Sequence, residues 1–174
     1  MPGPRYLRGE KVDLHVIEES DLEFLYGVVN DQRVWPSLQQ SEPLTMDDER
    51  EFYEGVVNAD GETHLLICHD RTPVGIVGLN GVDPNWGVAE LGYYVEPDSQ
   101  GHGYATEAVD LLVDYAFDQR RLEKLEADAL ASNEGSQRVL EKNGFVEEGR
   151  FRGHAHVDGE RVDVLRYGLL AEDR

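Results

Sequence analysis

The residues best suited to chemistry lie between Glu90 and Glu107: the carboxylate of Glu90, the phenols of Tyr93 and Tyr94, then Val95 and the run Gln100-Gly101-His102-Gly103-Tyr104-Ala105-Thr106. The β-branched and aromatic stretch Val88 to Val95 reads as a strand that stops at Glu96-Pro97, and the helical apolar period that starts at Ala105 reads as a helix. A glycine loop therefore leads from a strand straight into a helix N-terminus. The first amides of a helix have no intrahelical acceptor, and the helix dipole adds partial positive charge beside them. Such a terminus can bind a pyrophosphate without a lysine, and Gly101 and Gly103 let the backbone approach closely. The loop alone also fits a plain helix start or half of a dinucleotide fingerprint. The dinucleotide reading is weakened by Thr106 at the third glycine, by the mid-chain position, and by the lack of an opening βαβ unit; no GK[ST] sequence follows that would make a nucleotide P-loop.

These residues need a scaffold, and its elements are legible in outline. A first strand is predicted from Tyr6 to Val16, where Val12, Leu14 and Val16 alternate with polar neighbours. Ser20 and Glu23 have capping-box spacing, so a helix is expected from Ser20 to near Asn30. Asp31 to Leu44, holding Trp35-Pro36 and Pro43, reads as loop, and a second helix is expected after Thr45. His64 to Cys68, Val74 to Leu79 and Val88 to Val95 are strand-like runs separated by turn residues, as in an antiparallel meander. The long helix is expected from Gly103 to Arg121, with Glu107, Asp110, Asp114 and Asp118 on its polar face. A strand from Lys124 to Ala131, a short helix from Glu134 to Asn143, and a hairpin turning at Asp158-Gly159 complete the order, with Gly144 at a helix C-cap. The central strands are joined by turns too short for crossovers, so the fold class is mixed α/β (α+β) rather than doubly wound. One domain spanning residues 1–174 is expected, because no linker, repeat or low-complexity segment divides the chain.

Composition narrows the partners. The 36 acidic against 16 basic residues give a formal charge of −20, with no basic stripe for phosphates, so no nucleic acid partner is expected. The carboxylates are spread along the chain and only Lys11, Lys124 and Lys142 are lysines, which resembles proteins of halophilic archaea, where salt screens self-repulsion. A lone cysteine, Cys68, excludes a disulfide within one chain and suits a reducing cytoplasm. No signal-like start and no run of about 18 apolar residues occurs, so no membrane partner is expected either. His154 and His156 share a strand face, yet the sequence places no third ligand, and no metal is expected.

Gln100-Gly101-His102-Gly103-Tyr104-Ala105 resembles the Gln/Arg-x-x-Gly-x-Gly/Ala signature of GNAT acetyltransferases, and Gly103-Tyr104-Ala105-Thr106-Glu107-Ala108 looks like the RimJ/RimL branch. The segment Asn133-Glu134-Gly135-Ser136-Gln137-Arg138-Val139-Leu140-Glu141-Lys142-Asn143-Gly144-Phe145 is similar to the family's Asn-x-x-Ser-x-x-x-Leu-x-x-x-Gly-Phe run. The resemblance implies the acyl-CoA N-acyltransferase fold: a mostly antiparallel central sheet, flanked by helices, with one splayed parallel strand pair. The splay would separate Val88 to Val95 from Lys124 to Ala131, and acetyl-CoA as cosubstrate would wedge into it.

By the same resemblance, backbone near Tyr94 and Val95 would pair with the pantetheine arm, the N–H groups from His102 to Thr106 would hold the pyrophosphate, and Gln100 and Gly101 would belong to the same cofactor site. Asn133 would contact the cofactor or the splayed strand; on propensity it serves equally as a helix N-cap. The acetyl group would pass to a primary amine, either a small molecule or a protein N-terminus, in a ternary complex. Acetylation needs a base, an oxyanion donor and help for a departing thiolate. Glu90 is the candidate base, with Tyr93, Tyr94 and Glu96 as alternatives, and an amide near Tyr94 or Val95 would meet the oxyanion. Many relatives place a tyrosine where Leu140 falls, to protonate the thiolate; here Ser136 is the candidate acid, with Tyr104 or water behind it. An alternative is a non-catalytic acyl-CoA sensor. The acceptor would lie among Trp35, Tyr53 and His154-Ala155-His156, and the chain would work as a monomer or homodimer.

Overall fold

A computed structural model describes residues 2–38 and 40–174. Eight strands form one sheet in the order β1-β2-β3-β4-β5-β6-β8-β7. They are β1 (Arg5–Arg8), β2 (Asp13–Val16), β3 (Thr63–His69), β4 (Thr72–Asp83), β5 (Val88–Val95), β6 (Lys124–Leu130), β7 (Val146–Val157) and β8 (Glu160–Leu170). All neighbours are antiparallel except β5 and β6. The helices are α1 (Leu22–Val29), α2 (Met46–Phe52), α3 (Tyr104–Asp114) and α4 (Glu134–Lys142). Among the described residues no helix is long and apolar enough to cross a membrane.

The expected first strand is in fact a hairpin. The chain reverses between Arg8 and Asp13, where the Gly9 amide donates to the Asp13 carboxylate at 3.2 Å. A side chain at Gly9 would run into the Val12 carbonyl, so the turn depends on glycine there. Alternation of Val12, Leu14 and Val16 continued the strand pattern across a turn that only Gly9 marked. The first helix differs as well: a single tight turn, Glu19–Asp21, precedes α1. The Asp21 carboxylate, rather than Glu23, reaches back to accept the Glu18 amide at 2.9 Å. Thr45 does cap α2, its hydroxyl accepting the Asp48 amide at 3.2 Å while the Asp48 carboxylate accepts the Thr45 amide at 2.7 Å.

Alternation along each strand sends side chains to two separate cores. Leu14, Leu65, Ile67, Val77, Leu79, Leu91, Leu125 and Ala127 face α3 and α4, where Val109, Leu112 and Leu140 complete the larger cluster. Leu66, Cys68 and Ile76 face the other way, under Ile17, Leu22 and Leu25 of the α1 layer. The Cys68 thiol is buried in this smaller cluster, and burial pushes its pKa up to about 12, so it is protonated and inert.

The smaller core also contains Glu49, only 2% exposed, whose Oε1 has no hydrogen-bond partner among the described residues. Burial raises its pKa to about 7, from the ordinary carboxylate range. The folded state therefore holds a proton that the unfolded chain has already released, and stability falls as pH rises from about 4.5 to about 7. Glu49→Met should raise the melting temperature by several degrees at pH 8 and by little at pH 5, an estimate of order 1–3 kcal/mol. Thermal melts at the two pH values check this; an equal shift at both would refute the assignment.

Candidate functional site

The parallel ladder between β5 and β6 has only three residue pairs, Val88 with Lys124, Ala89 with Leu125 and Glu90 with Glu126. Beyond Glu90 the strands part, and β6 continues paired with β8 alone. A cleft of about 720 Å³ fills the gap, walled by Tyr93, Tyr94 and Val95 on one side, by Leu130 and the start of α4 on the other, and by the loop before α3. The splay expected from the resemblance is thus present between the expected strands.

The loop's geometry follows from its glycines. Gly101 and Gly103 have φ of 80° and 83°, a left-handed conformation that side chains rarely adopt. Gly103 is the N-cap of α3, and no side chain caps that helix. Among the described residues, the amides of Gly101, His102, Gly103, Tyr104, Ala105 and Thr106 donate to no group of the chain. Glu107, expected on the solvated face, is instead engaged by the β1–β2 turn: its carboxylate accepts the amides of Glu10, Lys11 and Val12 at 2.6, 2.8 and 2.9 Å. The first-turn carboxylate is therefore held away from its own helix terminus, which stays open to the cleft.

Most of the predicted cofactor residues come together here. Tyr94, Val95, Gln100, Gly101, Gly103, Tyr104, Ala105, Thr106, Asn133 and Ser136 all line the cleft. Two are also tied to local structure. The Gln100 amide group donates to the Val95 carbonyl at 3.0 Å, fixing the loop to the end of β5. Asn133 caps α4 by accepting the Ser136 amide at 3.1 Å. The His102 ring does not line the cleft; it stacks on Tyr104, which in turn stacks on His69, with centroids 5.3 and 4.8 Å apart.

The two predicted catalytic residues lie in different settings. Ser136 is in the cleft wall, its hydroxyl 2.9 Å from that of Tyr93. Burial pushes the Tyr93 phenol up to about 12, so it remains a neutral O–H near pH 7. The side chains at 93 and 136 meet across the splay, a pairing that separation in sequence hid. Glu90 lies outside the cleft lining, at the last parallel pair. It keeps solvent access, yet burial, then the Asp128 carboxylate, raise its pKa; Arg166 opposes this and Glu126 adds to it. On its other side is Asn80, its register partner on β4, whose Oδ1 accepts from the His64 imidazole at 2.9 Å. Leu140 is fully buried in the main core.

The cleft continues into a hollow of about 510 Å³ with which it shares Pro36, Leu130, Val157 and Asp158. Trp35 and His154-Ala155-His156 line the hollow together, whereas Tyr53 packs against the smaller core.

A mostly antiparallel sheet whose one parallel pair opens over an uncapped helix N-terminus is the architecture of an N-acyltransferase. The chain belongs to the GNAT acetyltransferases: the family model described as Acetyltransferase (GNAT) domain matches residues 11–146. YdaF of Bacillus subtilis (strain 168) is 31% identical over 173 residues, covering 94% of this chain and 93% of that protein. The ribosomal-protein-serine acetyltransferase of Escherichia coli (strain K12) is 23% identical over 175 residues, covering 95% and 96%. The crystal structure of spermidine N-acetyltransferase from Vibrio cholerae, in complex with CoA and spermine, has a TM-score of 0.88 at 23% identity and covers 95% of this chain and 98% of that one. The chain is thus an acetyltransferase consistent with the RimJ/RimL branch.

The Tyr93–Ser136 contact also has a structural consequence. Tyr93→Phe should lower stability by about 1 kcal/mol, and a double-mutant cycle with Ser136→Ala should give a coupling of about 0.5–1.5 kcal/mol. Denaturant unfolding of the four proteins measures it, and strictly additive losses would show that the two hydroxyls do not interact.

Proposed function

We propose that this enzyme transfers the acetyl group of acetyl-CoA directly to a primary amine, with both substrates held together in a ternary complex. The observation that carries the reading is the row of six unpaired amides at the start of α3, opening onto the β5–β6 splay. A diphosphate is a ligand that such a terminus suits, and the gap between the strands gives an extended arm a path to Tyr93 and Ser136. Acetyl-CoA supplies a thioester whose acyl–sulfur bond breaks as the acyl–nitrogen bond forms.

The chain's residues then have distinct tasks. Backbone at Tyr94 and Val95, beyond the last parallel pair and with the Val95 carbonyl already held by Gln100, would orient the arm and meet the oxyanion. Glu90 takes the amine's proton; because it lies outside the cleft lining, a water carries the proton across. Its raised pKa brings it closer to the working range of a base near neutral pH. Ser136, hydrogen-bonded to the neutral Tyr93 phenol, is placed to donate to the departing thiolate. A thiol pKa of about 8.5 makes this help small.

The hollow beyond the thioester position supports the acceptor reading. Its described lining has one carboxylate, Asp158, beside Trp35, Pro36, His154 and His156. A polycation would find few counter-charges there despite the acidic surface, so an amine on an uncharged arm, or a protein N-terminus, fits better.

Titration calorimetry with acetyl-CoA, followed by thiol release across a panel of peptides, small amines and spermidine, tests the whole reading. Binding and release with uncharged acceptors are expected. Absence of binding would end the reading, and tight binding without release for any amine would favour a sensor. Gly103→Glu should abolish acetyl-CoA binding, because it places a side chain at positive φ and a negative charge in the amide row. Glu90→Gln should lower turnover at least tenfold with acetyl-CoA affinity nearly intact. An unchanged rate would dismiss Glu90 as the base.

A further inference from the structure

Coenzyme A has a phosphate monoester on its ribose as well as a pyrophosphate, and a monoester carries close to two negative charges at neutral pH. A chain of charge −20 repels such a group unless cations are placed where it lies. The charged residues lining the cleft are Arg33, Arg138, Lys142 and Asp158, three cations against one anion, the reverse of the surrounding balance. Two of the three cations are already engaged. Arg33 pairs with Asp31 and Asp98 at 2.7 and 3.0 Å, and Arg138 pairs with Glu134 at 2.5 Å.

Lys142 differs. Of the three lysines, Lys124 is bound by Glu126 and Glu148 at 3.5 and 2.7 Å, and Lys11, which does not line the cleft, donates its ammonium to the His102 carbonyl at 3.5 Å beside Gly103. Among the described residues, no carboxylate lies within ion-pair distance of Lys142. Its position is also fixed. Ser136, Val139 and Lys142 follow at three-residue intervals along one face of α4, all lining the cleft. Ser136 meets Tyr93 at one end, and at the other the Asn143 side chain donates to the Thr106 carbonyl at 3.1 Å, holding the end of α4 against the first turn of α3. A ligand with its thioester at Ser136 and its diphosphate at the α3 amides therefore brings its nucleotide end to Lys142.

We propose that Lys142 pairs with the ribose 3′-phosphate and makes the enzyme discriminate coenzyme A from 3′-dephospho-coenzyme A. This rests on the acetyl-CoA reading above. A lysine in the last turn of a helix also complements the dipole, but that role stabilises the fold without distinguishing the two ligands.

Titration calorimetry of the full chain and of Lys142→Gln, each with coenzyme A and its 3′-dephospho form at one salt concentration, tests it. The unaltered protein should prefer coenzyme A roughly tenfold, the scale of one charge-assisted hydrogen bond. Lys142→Gln should lose that factor for coenzyme A alone, bringing the ratio near one, and Lys142→Arg should keep most of it. An undiminished preference in Lys142→Gln, or equal weakening of both ligands, would overturn the assignment while leaving the acetyl-CoA reading in place. If neither ligand binds the unaltered protein, that reading falls and takes this one with it.

Discussion

Among the described residues, six successive amides at the start of α3 have no acceptor, and the rest of the structure is arranged so that they stay that way. Unpaired backbone donors are unfavourable unless water or a ligand satisfies them, so a fold keeps such a row only at its surface or in a cleft. Two left-handed glycines turn the loop so that the amides point outward together. The parallel ladder stops after Glu90, which opens space in front of them. Glu107 could have capped this helix from its first turn. Its carboxylate instead accepts three amides of the β1–β2 turn, and the same contact ties the edge of the sheet to α3.

The two faces of the sheet differ in how far apolar packing extends. The α3–α4 face is a continuous apolar core in which Leu112, Leu125 and Leu140 are fully enclosed. The opposite face joins the smaller core around Leu66, Cys68 and Ile76 to a polar stripe of Asn80, Glu90, Glu126, Asp128 and Arg166, held by hydrogen bonds and ion pairs. Arg166 makes a bidentate contact to Asp128 at 2.8 Å for each bond. Glu90 therefore sits between an amide and like charges, a setting that raises its proton affinity without burying it completely.

Several elements were legible because local pattern and tertiary environment agree. The meander β3-β4-β5, the long helix, the helix start after Thr45 and the hairpin turn at Asp158-Gly159 all follow from alternation, helical period and turn residues. The misreadings have equally local causes. Val12, Leu14 and Val16 kept strand alternation going across the Gly9 turn, and Ser20 with Glu23 imitated the reciprocal contact that Glu18 and Asp21 make. Glu49 gave no sign of itself, since a glutamate among Asp47, Asp48, Arg50 and Glu51 reads as a solvated helix face; only the packing of α2 over the sheet turns that position inward.

The sequence by itself determined the loop chemistry, because glycine, proline and a helical apolar period act through bonds between near neighbours. It marked the strand before the loop, the helix after it, and the second segment at Asn133 to Phe145. Tertiary structure alone decided which distant groups meet: the Tyr93 and Ser136 hydroxyls, Glu107 with the β1–β2 turn, and the end of α4 with the first turn of α3. It also decided where the parallel pairing stops, and hence that a cleft exists. Strand register and helix docking are set by the packing of whole faces against each other, and no residue type or spacing within one segment encodes that sum.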